Sequence, residues 1–166
     1  MNIDELNFLK IAIEKHPTTG HTLEFLIKQD AIAVMIVDAE ETKTLFVKQY
    51  RPGVGKEIYE IPAGLIDPGE DAKTTLYREI EEETGYIKEN LSLLYSSPKP
   101  LTVSPGYTQE KLYLYIVKLK NNNIIPKELH LDSGEDLSNH WINLNEVEKF
   151  SSDMKTILAY NIYKNL

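Results

Sequence analysis

The sequence predicts an α/β protein of the α+β kind, with a mixed β-sheet sandwiched between helices. Three observations carry this. Short β-like runs and two helical stretches interleave irregularly, without the regular alternation of a doubly wound parallel sheet. One wholly apolar run, 31–37, has the length of a buried strand and is far too short to cross a bilayer. The 166 residues, 42% hydrophobic and 27% charged, suit a single domain with a real core.

In chain order, 8–13 and 22–27 read as β-stretches split by the turn signal Pro17-Thr18-Thr19-Gly20. Residues 31–37 and 44–49 follow as strands around a polar turn at 38–42. Pro52, Gly53 and Gly55 make 51–55 a loop, and 58–61 is a short strand ending at Pro62. The span 70–84 has no internal Gly or Pro and stops at Gly85, which predicts a helix. Beyond it come a strand at 91–95, a proline-rich loop at 98–106 and a two-faced strand at 111–119. An acidic loop at 131–138, a short strand at 140–144 and an amphipathic helix at 152–164 close the chain.

The net charge of −8 argues against a nucleic acid or an anionic membrane as partner, since both need a basic surface. The absence of cysteine excludes disulfides and thiolate metal sites. The first ten residues hold Asp4 and Glu5 and lack the basic start and apolar run of a signal peptide, so a cytoplasmic location is expected. His16, His21, His130 and His140 show no metal-ligand spacing.

The predicted helix at 70–84 carries the chemistry. With Leu76 at zero on a helical wheel, Ala72 and Ile80 lie about 40° to either side and define the core-facing stripe. Glu83 falls about 20° from Leu76, inside that stripe, with Glu79 about 60° and Glu82 about 120° away on one flank. Arg78, four residues before Glu82, can pair with it. Glutamate-rich helices are ordinarily solvated faces. Here one carboxylate points inward, an arginine is placed to pair, and glycines bracket the unit. Carboxylates sharing one space repel unless a cation sits among them, and hard oxygen donors suit Mg²⁺, with Mn²⁺ as a substitute.

These residues match the signature of the Nudix hydrolases: Gly64, Glu70, Arg78, Glu79, Ile80, Glu82, Glu83 and Gly85 stand at its spacings, with Tyr86 in place of the final aliphatic. At about 5–7% for each residue type, such a match arises by chance on the order of 10⁻⁸ per start position or less. Gln49-Tyr50-Arg51, Glu60-Ile61-Pro62-Ala63-Gly64 and Ser104-Pro105-Gly106-Tyr107-Thr108-Gln109-Glu110 resemble the ADP-ribose pyrophosphatase branch.

The resemblance implies a Nudix-type α/β/α sandwich over 1–166. Residues 1–28 would be N-terminal strands available for dimerisation, and 29–166 the catalytic core. It implies Mg-dependent hydrolysis of a nucleotide sugar, preferably ADP-ribose to AMP and ribose 5-phosphate, by a homodimer. Another nucleotide sugar, a nucleoside triphosphate or a non-catalytic nucleotide sensor are the alternatives. The Ala63 carbonyl, Glu79 and Glu83 would hold the metal with help from Glu82, while Glu70 anchors the loop against the helix. Arg51, Glu60, Ser104, Gly106 and Glu110 would face the substrate. The general base would come from the acidic loop, with Glu135 favoured, Asp132 a rival and an ordinary solvated loop the third option. Residues 98–103 look like extra loop relative to this branch, which bears on sugar specificity.

Overall fold

The computed structural model describes residues 9–131, 134 and 136–166. Among these, eight strands form one mixed sheet, and β1 (Lys10–Lys15) and β2 (Thr22–Ile27) form a separate antiparallel hairpin. The long path of the sheet runs β10 (Leu137–Asn143), β4 (Lys43–Arg51), β3 (Ala31–Val37), β9 (Lys111–Leu119), β7 (Leu91–Ser96). Shorter strands pair off it: β5 (Lys56–Glu60) with β4, β6 (Ala63–Leu65) with β3, and β8 (Leu101–Thr102) with β9. The parallel β3–β9 pairing makes the sheet mixed.

The apolar run at 31–37 is the buried centre. Every residue of β3 is buried, because both faces are covered. Ala33, Met35 and Val37 face one side with Leu114 and Ile116, where Val147 of α2 (Val147–Phe150) and Ala159 of α3 (Met154–Tyr163) pack. Ile32, Val34 and Ile36 face the other with Tyr115 and Val117, against Leu76 and Ile80 of α1 (Ala72–Thr84). The period-2 alternation of two central strands thus sorts the core into two halves, with helices on both faces.

Several boundaries move for physical reasons. The first strand begins at Lys10 rather than at residue 8, which lies outside the described residues. The helix expected at 70–84 begins at Ala72, because Asp71 caps it by accepting from the N–H groups of Lys73 (2.9 Å) and Thr74 (2.8 Å). Likewise Asp153 caps α3 by accepting from Thr156 N–H at 2.9 Å, so that helix starts at Met154 rather than 152. The proline-rich loop holds the two-residue β8, and β10 starts at Leu137, inside the expected acidic loop. The three-residue β6 and the single-turn α2 were too short to carry a periodic signal.

Gly85 ends α1 in the left-handed conformation (φ 72°). A Cβ there would also lie 2.2 Å from the Lys127 carbonyl oxygen, a backbone atom that cannot swing away. Gly85→Ala is therefore expected to destabilise the protein by about 2–4 kcal/mol, read from the urea unfolding midpoint.

A candidate active site

The site grows from the junction of β6 and α1. Ala63 N–H donates to Glu83 Oε2 at 3.3 Å, and Gly64 lies directly under Glu79. A Cβ on Gly64 would fall 1.8 Å from Glu79 Cδ, so the glycine is required for the carboxylate to occupy its place. Glu83 is 2% exposed and Glu79 9%, in keeping with the inward stripe on the wheel.

Arg78 organises the rest. Its Nη1 donates to Glu79 (2.8 Å) and to Glu82 (2.9 Å), the latter being the pair expected four residues apart. Its Nη2 donates to the Leu65 carbonyl (3.1 Å) and to Glu70 (3.1 Å). Glu70, just ahead of the cap, also accepts from Thr75 Oγ1 at 2.8 Å. One guanidinium thus ties the glycine loop to the helix and fixes two helix carboxylates. Burial works against its charge, but the bonds it donates to Glu70 and the nearby charge of Glu79 outweigh that and hold it more firmly protonated than usual.

The bond from Arg78, followed by that from Thr75, lowers the Glu70 pKa below its usual 4.5. The stabilisation from Glu70 is therefore complete above its unfolded value and is lost as pH falls through the lower folded value. Arg78→Gln should be less stable than the parent at neutral pH. The difference should narrow below about pH 4, as urea midpoints across a pH series would record.

Arg51 (β4) and Glu60 (β5) meet in a cavity of about 370 Å³ that Ala63 and Gly64 also line. Glu60, 1% exposed, accepts from Arg51 Nε at 2.6 Å. Glu110 lies at the same cavity, paired with Lys28 at 2.7 Å. Ile32, Ile58, Val103 and Leu112 supply apolar walls. Strand β6 is thus shared: its residues touch the acidic helix edge and also line the cavity.

Other expected positions fall elsewhere. Ser104 and Gly106 are exposed and do not line the cavity. The Ser104 carbonyl accepts from the N–H groups of Tyr107 and Thr108, both at 2.9 Å, and closes a turn. That turn docks on the N-terminal hairpin, where Leu26 N–H donates to the Tyr107 carbonyl at 2.8 Å. Glu135 and Asp132 lie outside the described residues. Sequence reasoning missed Lys28, Asp153, Met154 and Lys155, all on the cavity. The last three read only as the start of a closing helix, with no local signal of a site.

A divalent cation fits this edge. Four glutamates gather around α1 and the loop before it, and one guanidinium binds three of them. The Gly64 cradle keeps a carboxylate where a side chain would otherwise stand. Among the described residues no three acidic or histidine side chains form a complete cage. Magnesium ordinarily takes its remaining oxygens from water and phosphate.

The NUDIX domain model matches residues 27–161. The protein named methanol dehydrogenase activator from Bacillus methanolicus is 35% identical over 141 residues, 81% of this chain and 72% of that one. The ADP-ribose pyrophosphatase of Bacillus subtilis is 29% identical over 133 residues, 80% of this chain and 68% of its own length. The crystal structure of an ADP compounds hydrolase superposes with a TM-score of 0.69 at 20% identity, over 96% of this chain and 94% of that one. That likeness speaks for the fold. With the family model spanning both the acidic helix and the cavity, the chain belongs to the NUDIX domain family.

Proposed function

We propose that the protein is a Nudix pyrophosphohydrolase that cleaves a nucleoside diphosphate linked to a sugar, preferably ADP-ribose, to AMP and ribose 5-phosphate. The observation that carries this is the sharing of β6 between the acidic edge of α1 and the Arg51 cavity. One diphosphate lying along β6 would meet both. The similarity to an ADP-ribose pyrophosphatase supports the choice of substrate.

Glu79, Glu83 and the Ala63 carbonyl, assisted by Glu82, would hold Mg²⁺ or Mn²⁺. The bound ion would neutralise the diphosphate and lower the pKa of a water. Arg78 fixes Glu79 and Glu82, so little reorganisation is needed during the reaction. Glu60 holds Arg51 by its Nε, which leaves the terminal nitrogens of the guanidinium for phosphate oxygens. A carboxylate of the acidic loop, Glu135 ahead of Asp132, accepts a proton from the attacking water. The new P–O bond forms as the bond to the bridging oxygen breaks, and the leaving phosphate carries away that electron pair.

The same reading makes the protein a cytoplasmic homodimer. Ile11 and Ile13 share one face of the hairpin and are 54% and 66% exposed, an apolar pair suited to contact with a second copy. No helix among the described residues is long and apolar enough to cross a membrane.

Incubation with ADP-ribose, UDP-glucose, NADH and 8-oxo-dGTP plus Mg²⁺, followed by product analysis, tests the assignment. AMP and ribose 5-phosphate from ADP-ribose are expected as the fastest products. Faster turnover of another of the four would reassign the substrate, and turnover of none would favour a nucleotide sensor.

A further inference from the structure

The turn into α3 grips three consecutive residues running through the end of β5. Ser151 Oγ donates to the Tyr59 carbonyl at 2.6 Å, the Lys155 ammonium pairs with the Glu60 carboxylate, and Thr156 Oγ1 accepts from Ile61 N–H at 3.0 Å. Two hydroxyl bonds thus flank the ion pair and hold the same turn. The ion pair between them lies at the cavity, and Lys155 lines it.

A buried carboxylate needs a cationic partner, and Glu60 has two, from different elements: Arg51 on Oε1 and Lys155 on Oε2. Each cation keeps donors in reserve. Arg51 uses its Nε here and makes no other side-chain bond among the described residues. Lys155 has a second partner in Asp153 Oδ1 at 3.1 Å, which leaves one of its three N–H groups. The other Asp153 oxygen caps α3, so the residue that positions the helix also steadies the lysine.

Resting on the function proposed above, we infer that Lys155 is a substrate-binding residue. With Arg51 it forms a two-point clamp on a phosphate of the substrate, and Glu60 is the brace they share. Glu60 and Ala63 are three residues apart, at most about 10 Å of chain, so clamp and acidic helix edge can address one diphosphate.

The test compares Lys155→Met, Lys155→Arg and the charge-balanced double variant Glu60→Gln/Lys155→Met with the parent. KM and kcat are measured with ADP-ribose and Mg²⁺. Binding of inorganic pyrophosphate with Mg²⁺ is measured by calorimetry, a readout that needs no turnover. Lys155→Met is expected to raise KM and the pyrophosphate Kd about tenfold to a hundredfold, with kcat changed by less than about threefold. Lys155→Arg should recover much of the loss, and the double variant should stay weak. Unchanged KM and Kd in Lys155→Met would overturn the inference. So would recovery in the double variant, since Lys155 would then serve only to neutralise Glu60. Should Lys155→Met fail to fold, the double variant is compared with Glu60→Gln alone, which loses the same brace but keeps Lys155, and an equal pyrophosphate Kd in the two would overturn the inference. If the parent does not cleave ADP-ribose while Lys155→Met still weakens pyrophosphate binding, the substrate assignment falls and the clamp stands.

Discussion

Glu83→Gln is expected to lower kcat/KM for ADP-ribose by at least about 10³-fold while the protein stays folded. Glu83 sits on the core-facing stripe of α1 at 2% exposure, and its Oε2 accepts from the Ala63 N–H. Glutamine has the same shape and keeps an oxygen that can accept that bond. What it loses is a negative charge at an edge where carboxylates already crowd. Without metal, the fold should therefore be no less stable than the parent, and slightly more stable if repulsion dominates. Circular dichroism and urea unfolding without metal, beside steady-state kinetics with it, separate the two effects. A variant that unfolds would make Glu83 a structural pair rather than a metal ligand.

Gly64→Ala should produce the second large effect, from one added methyl group. Gly64 lacks the positive φ that would bar alanine, so the backbone accepts the change. The methyl carbon, however, would sit 1.8 Å from Glu79 Cδ and 1.9 Å from its Oε1. The atoms that must give way are the far end of a flexible side chain, so the cost to folding is small. The carboxylate moves off its place over β6 and away from Arg78. The expected result is a loss of at least about a hundredfold in kcat with a nearly unchanged unfolding midpoint. A higher Mg²⁺ concentration for half-maximal rate should accompany it. The contrast with Gly85→Ala is informative: the obstructing atom there is backbone, and the expected loss is in stability.

The sequence revealed most of the α1 side of the molecule. Glu79 and Glu83 were legible because helical periodicity converts spacing into direction, and both are buried as the wheel places them. The Arg78–Glu82 pair was legible because four residues span one helical turn. β3 was legible because a strand covered on both faces must be apolar throughout. Other features depend on contacts distant in sequence. Glu60 meets Lys155 across 95 positions, and Lys28 meets Glu110 across 82, with no periodic trace in either segment. Ser104 and Gly106, read as facing the substrate, stand outside the cavity on a turn that packs on the hairpin, and a Pro-Gly turn has the same sequence in either setting. The strand at 111–119 was expected to present two distinct faces, and both turn out to be buried. Tyr115 and Val117 pack toward α1 as firmly as Leu114 and Ile116 pack toward α3.

Crystals soaked with Mn²⁺ and a non-hydrolysable ADP-ribose analogue, measured at the manganese absorption edge, would address the acidic edge of α1 directly. Anomalous peaks should lie between the Glu79 and Glu83 carboxylates and the diphosphate of the analogue, with Arg51 on a phosphate oxygen. A solvent-filled edge with the analogue bound elsewhere, or bound without metal at α1, would refute metal-assisted cleavage at this helix.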